Sequence, residues 1–343
     1  MSRPHALLRA GFPFLKTLGM RRVTNHPTDV AVASDDTIYV LNRHALGGHV
    51  TALPFVDPGE NWDQYLPRMG PDGWGDGEFI WPVSMVLDED QTLFISDEEL
   101  NRITLIDREG AFISKWGEPG DGDGELKGPA GIAIDRDSYV YVADALNHRV
   151  QKFTKQGKFV MSWGGIGQGD GQFNMPWGIC VDENNDVYVA DWRNDRIQKF
   201  DCEGKFLFSL GMSGTAKGEF QRPGGVDVDA HGDIYVADTG NDRVQQFDQN
   251  GRYLEQFFGD ATLSDMSRSY LMTNAQSLRL REMSELEPQK RFRSPRAVRV
   301  DDKGRMFVAD FKSYRVQVYQ KEAIPLDASQ IAQVPRSPTL FVN

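Results

Sequence analysis

A chain of 343 residues that is 40% hydrophobic and 26% charged, with 34 glycines, has the composition of a soluble, turn-rich globular protein. Fifty acidic side chains against 38 basic ones leave a formal charge of -12, a field that repels phosphate backbones and anionic lipid, so neither nucleic acid nor a membrane is expected as a partner. No apolar run approaches the roughly 18 residues of a membrane span, and the opening MSRPHALLRAGFPFLKTLG lacks a secretory apolar stretch, so the chain reads as cytoplasmic.

In chain order, FLKTLG at 14 to 19 matches FLFSLG at 206 to 211. A repeat follows, opened each time by a proline: Pro27, Pro82, Pro129, Pro176, Pro223 and Pro295. Within it, VYVAD at 140 to 144 recurs at 187 to 191 and as IYVAD at 234 to 238. Its marker aspartates are Asp97, Asp144, Asp191, Asp238 and Asp310, and an arginine stands five residues after each. A period near 50 denotes a repeated structural unit, so one closed domain is expected rather than two. The first unit departs from the pattern, with Asn42 at the marker and Gly47 at the nominal Arg position. The fourth unit shows the strands most openly: GICVD, VYVAD, RIQKF and KFLFSL, separated by turn formers such as Asn184-Asn185 and Glu203-Gly204. Between the fifth and sixth units lies a glycine-free insertion, 260–291, where Leu278, Leu280, Met283 and Leu286 suggest a helix over about 274–286, ended by Pro288. The sixth unit has three strands, AVRVD, MFVAD and RVQVY, and then a tail, 321–343, read as loose.

Four strands per repeat describe an all-β, six-bladed β-propeller over residues 12–320. Unpaired strand edges must be hidden, so residues 12–18 are expected to supply the missing outer strand of the last blade and close the ring. The motif P-x-G-[IV]-x-[IV]-D followed by [IV]-Y-V-A-D-x-x-N-x-R-[IV]-Q resembles the NHL repeat family, most closely in the third to fifth blades. The resemblance implies a propeller whose top face carries the connections between blades and those from second to third strand, and whose ligands meet that face near the central channel. It leaves function open, because such propellers serve as protein scaffolds, RNA binders and lyases.

The repeated Asp and Arg pairs read as fasteners of the second-to-third turn, since chemistry performed once per molecule does not need a pair in every blade. The loops GWGDGEF, GDGDGEL and GQGDGQF offer too few carboxylates for calcium and read as tight turns. Peptide-amidating lyases that resemble this fold hold zinc with a His directly after the blade-opening Pro in three blades. Here those positions are Thr28, Val83, Ala130, Trp177, Gly224 and Arg296, so that triad does not carry over and no metal or other cofactor is expected. The histidines read as separate surface residues, and Cys180 and Cys202 as free thiols.

What remains is uneven chemistry at repeated positions. His26, Trp81 and Arg222 precede the proline, Trp177 and Arg296 follow it, and Arg43 and Trp192 follow the marker. With Asp29, these residues form the candidate site: a top-face surface for a protein partner or a small anionic or aromatic ligand. The alternative is a lyase or hydrolase that uses a metal, or Arg and His, at the channel mouth, with His26, Asp29, Trp177 and Arg296 as its residues. The 260–291 insertion belongs to the same face, where it would cover the mouth, dock a partner or serve as a plain surface excursion.

Overall fold

The computed structural model describes residues 6–19, 23–45, 47–55, 68–70, 72–272 and 286–326. Six four-stranded antiparallel sheets are arranged as the blades of a propeller. The second strands, such as Val187–Asp191 and Ile234–Asp238, are buried on both faces, which is why VYVAD is apolar almost throughout instead of alternating. Neighbouring blades pack face to face: Cys180, Tyr188, Ala190 and Ile197 of the fourth blade share one core with Val226, Ile234, Val236 and Phe247 of the fifth.

Inner strands ring the channel at close quarters. A Cβ on Gly131 would lie 2.3 Å from the Trp177 carbonyl oxygen, and one on Gly178 would lie 2.7 Å from that of Gly224. The small residues in the repeat are thus a steric requirement of six inner strands meeting around one axis.

Phe14–Leu18 pairs antiparallel with Arg315–Gln320 and completes the sixth blade, as the end-to-end sequence match predicts. The tail differs from expectation at its start. Glu322–Leu326 is a strand paired with Ala6–Gly11, so both ends of the ring leave together as a two-stranded ribbon. A buried ionic cluster fastens that ribbon to the fifth blade. Arg9 donates from Nε to Asp233 Oδ2 at 2.8 Å, and the Lys321 ammonium contacts both Asp229 and Asp233. Although burial alone would raise it, the bonds from Arg9 and Lys321 hold the Asp233 carboxyl below its usual range. Lys321 fills a gap in the repeat. In the third and fourth blades the blade's own Lys152 and Lys199 approach the Asp that ends the inner strand, at 3.5 and 3.6 Å, whereas the fifth blade has Gln246 there.

The insertion contains a helix at Asp265–Met272, not anticipated from the sequence. Ser264 caps it by accepting from the Ser267 N–H at 3.1 Å and ties it to the closing strand by donating to the Gly19 carbonyl at 2.7 Å. Most of the helix expected over 274–286 lies outside the described residues. Pro288 falls in the first turn of a short helix, Glu287–Lys290, so it opens a helix instead of ending one, consistent with the missing N–H costing nothing there. No described helix is long and apolar enough to cross a membrane.

Lys321→Met removes the buried cation between Asp229 and Asp233 and is expected to cost about 3 kcal/mol in urea unfolding. Adding Gln246→Lys, which restores an ammonium where two other blades carry one, should recover most of that loss. Equal stability of Lys321→Met and the parent would show that the cluster does not hold the ring closed.

Candidate functional site

The mouth of the channel is shaped by a repeated clamp. In the third blade the Asp144 carboxylate, fully buried, takes the Lys127 N–H at 2.7 Å, Arg149 Nε at 2.8 Å and the side-chain amides of Asn147 and Gln151 at 2.9 and 3.0 Å. Arg149 also reaches back to the carbonyls of Gly122 and Glu125, at 2.7 and 2.9 Å. The pair therefore fastens the second-to-third turn, as expected, and in addition binds the loop that enters its own blade. Arg196, Arg243 and Arg315 pair with their aspartates at 2.8 to 2.9 Å in the same way. Burial pushes the Asp191, Asp238 and Asp310 carboxyls up, and the clamp bonds pull against that push.

The glycine loops close on themselves. Glu125 Oε2 accepts from the Gly122 N–H at 2.9 Å, and the neutral Gln172 makes the equivalent bond to Gly169 at 3.0 Å, so the loop needs an acceptor and no charge.

Two blades depart from the clamp. In the second, Leu100 and Thr104 replace the Asn and Gln, Asp97 takes only backbone N–H groups such as those of Ile80 and Trp81, and Arg102 donates to the Gly75 and Glu78 carbonyls instead. In the first, the pairing register sets Asn42 opposite His49, not Gly47. The turn is two residues longer than in the other blades, and that length hid the correspondence in the sequence.

Above the clamps the non-repeated residues gather. A cavity of about 480 Å³ is lined by Arg43, Trp81, Trp177, Trp192, Arg296 and Phe311, among others. A second of about 270 Å³ shares Trp177, Trp192 and Arg296 with it and adds Arg222 and Lys312. The walls are unlike. Trp177 and Trp192 lie with ring centroids 6.0 Å apart on the fourth blade, and Arg222 sits 5.1 Å over Trp192. Across the mouth, Arg43 donates to Glu98 Oε1 at 2.7 Å while resting 4.9 Å over Trp81. Arg296 is half-buried against the Phe311 ring at 4.6 Å, and its Nε is buried with no hydrogen-bond partner among the described residues. Burial pushes the Arg296 guanidinium below its ordinary range, Arg43 adds to that push and Glu98 opposes it.

Of the eight candidate residues, six therefore line the two connected cavities: Arg43, Trp81, Trp177, Trp192, Arg222 and Arg296. The other two sit elsewhere. His26 packs between Phe311 and Tyr314, with centroids at 4.9 and 4.5 Å, and supports the cavity wall. Asp29 lies below, within the channel. Sequence reasoning missed Glu98, although it follows the marker Asp97 just as Arg43, Trp192 and Phe311 follow theirs. A search of that repeated position for any charge, and not only for Arg and aromatics, would have found it.

The histidines are not all separate surface residues: His49 is buried, and its ring centroid lies 5.8 Å from that of His44. His44 Nε2 lies 3.3 Å from Asp72, and His148 Nδ1 accepts from the Met175 N–H at 3.1 Å. Among the described residues no group of three or more His, Cys, Asp or Glu side chains is arranged to hold a metal ion. Cys180 and Cys202 are free thiols. No described residue of the insertion lines the mouth; Met266 packs into a core with Leu18, Val23 and Val30 instead.

Residues 126–153, 173–200 and 220–247 match the NHL repeat. Three of the six blades of this propeller thus carry the NHL repeat. Among curated proteins it is similar to protein lin-41 of Caenorhabditis elegans, 29% identical over 85 residues, a stretch covering 22% of this chain and 7% of that protein. Among solved structures it is similar to a streptogramin B lyase, with a TM-score of 0.56 and 11% identity over 91% of this chain and 98% of that one. It also resembles a structural genomics protein of unknown function from Bacteroides thetaiotaomicron, with a TM-score of 0.60 and 15% identity over 92% and 77% of the two chains. At these identities the structural likeness is one of fold alone.

Below the mouth, this propeller carries a charged plug. Arg299 of the sixth blade donates to both oxygens of Asp29 in the first, at 2.9 and 2.6 Å, and Asp29 also takes Ser84 Oγ of the second blade at 2.7 Å. Asp227 of the fifth blade accepts from the Val300 N–H at 2.7 Å. Burial pushes the Asp227 carboxyl up to about 6, with Arg299 pulling the other way. Only about 20 Å³ of space remains between the mouth residues Thr28, Trp177 and Arg296 and the plug residues Asp29, Ser84 and Arg299, so the mouth cavity is floored, while Asp227 and Arg299 also line a separate cavity of about 280 Å³.

Because the Asp227 carboxyl titrates higher when folded than when unfolded, its stabilising effect is complete below the unfolded value near 4 and lost as pH rises through about 6. Asp227→Asn keeps an acceptor for Val300 and avoids the ionisation. Its stability relative to the parent is expected to rise between pH 4 and 6 by about 2 kcal/mol and to stay level above, as read from thermal unfolding at each pH. A pH-independent difference would show that folding does not raise the Asp227 carboxyl.

Proposed function

We propose that this NHL propeller is a binding module that receives a protein partner or small ligand at the top-face mouth of its channel. One observation carries the reading. Three positions of the repeat, before the proline, after it and after the marker, hold different residues in each blade, and the fold brings them together around one floored cavity of about 480 Å³. The clamp residues are engaged in every blade from the third to the sixth, whereas Trp81, at 39% exposure, and Arg296, whose guanidinium makes no hydrogen bond among the described residues, line the opening. Aromatic and guanidinium groups of this kind bind partners through large contact area and directed charge. A cytoplasmic site of action fits the two free thiols.

The test is ligand-observed NMR on the full chain with a mixed set of charged and neutral fragments. Trp177→Ala is expected to abolish the hits, and Arg252→Ala, at an exposed turn of the opposite face, to leave them in place. Hits that survive Trp177→Ala, or that are lost equally in both variants, would move the binding surface away from the mouth.

A further inference from the structure

The charges at the mouth are not equivalent, and their inequality selects the ligand. Arg43 is neutralised by Glu98 at 2.7 Å, and Glu99 lines the same side of the cavity. Arg193 and Arg222 lie over the Trp192 ring at 5.6 and 5.1 Å and are exposed, so water screens them. Arg296 alone among the lining cations combines burial with an Nε that no acceptor satisfies, next to the ring of Phe311. The Nε itself is closed off, so a carboxylate is taken at the Nη edge of the guanidinium, which makes no hydrogen bond among the described residues, and a half-buried cation favours it because little water competes.

The other side of the cavity is flat and apolar. Trp177 packs against Val83, Ala130 and Ala145, which give a shallow wall of small side chains beneath its ring, and Trp192 and Leu146 extend that wall. In the ring of blades Arg296 belongs to the sixth, Ala130 and Ala145 to the third, directly opposite. A ligand with its anion on Arg296 therefore lays its body on the third and fourth blades.

We infer that the mouth is a site for flat aromatic carboxylates, with the carboxylate on the Arg296 guanidinium and the ring system against Trp177. The inference rests on the reading of the mouth as the binding surface.

Isothermal titration of the full chain with 2-naphthoate and 2-naphthamide tests this directly. 2-Naphthoate is expected to bind about tenfold more tightly than the amide. Arg296→Gln should bring the ratio of carboxylate to amide affinity close to one, while Arg296→Lys, which keeps the charge, should retain part of the preference. Equal affinity for naphthoate and naphthamide, an unchanged ratio in a folded Arg296→Gln protein, or no naphthoate binding at all would each overturn the inference. Those outcomes leave the binding-module reading standing as long as other fragments still bind at the mouth in a Trp177-dependent manner. Loss of Trp177-dependent fragment binding would instead sink that reading.

Discussion

The marker carboxylate at the end of each second strand is the joint on which this ring is assembled. It is buried without exposure in five blades, and it is filled by backbone N–H groups as well as by side chains. Asp97, Asp144, Asp191, Asp238 and Asp310 each take the N–H of the residue two before the blade-opening proline, within 2.7 to 2.8 Å. The carboxylate thereby locks the entry of the chain into the blade to the exit of its second strand. A buried carboxylate is costly unless its lone pairs are occupied, which explains why Asn, Arg and Gln recur around it at fixed offsets in the third, fourth and fifth blades.

Ring closure follows a different logic, because it joins parts of the chain that the repeat does not relate. Arg9 and Lys321 meet Asp229 and Asp233, and Ser264 reaches Gly19. Arg299, Asp29 and Ser84 tie the sixth, first and second blades across the channel. These bonds are polar and directional, where the blade cores are apolar and alike. The ionic groups thus specify which edge meets which, a role that dispersion among similar valines and phenylalanines fills poorly.

The parts of this structure legible in the sequence were those that repeat. Strand positions, blade number and the closing strand follow from VYVAD, from the prolines and from the likeness of FLKTLG to FLFSLG. The ribbon of Ala6–Gly11 with Glu322–Leu326 was not legible, because it occurs once and pairs residues more than 300 apart. His49 was hidden by two extra residues in a turn, and the Asp265–Met272 helix by its shortness, with a mean pattern too polar to stand out. Asking which repeated positions carry unlike residues singled out six side chains that line the two cavities of the mouth. Asp29, which that rule does not select, was grouped with them, although strand alternation turns it into the channel, onto Arg299.

The clamp also explains how a rigid ring can carry a variable mouth. Where it holds the loops at the mouth it holds them by their backbone: the N–H two before the proline, and the carbonyls of the entering loop that Arg149, Arg196 and Arg243 take. The side chains before the proline, after it and after the marker are left out of that network, so they can be Trp, Arg, Glu, Ala or Gly without loosening the ring. The first blade shows the converse. There Asn42 donates to Val40, His49 and Thr51 and leaves its own Oδ1 buried without an acceptor role among the described residues, and the adjoining turn is longer. That turn carries Arg43, the cation that Glu98 neutralises. The blade with the weakest clamp thus supplies half of the ion pair that neutralises one cation of the mouth and leaves Arg296 as its half-buried cation without an ion pair among the described residues, so the charge pattern of the mouth follows from where the repeat fails.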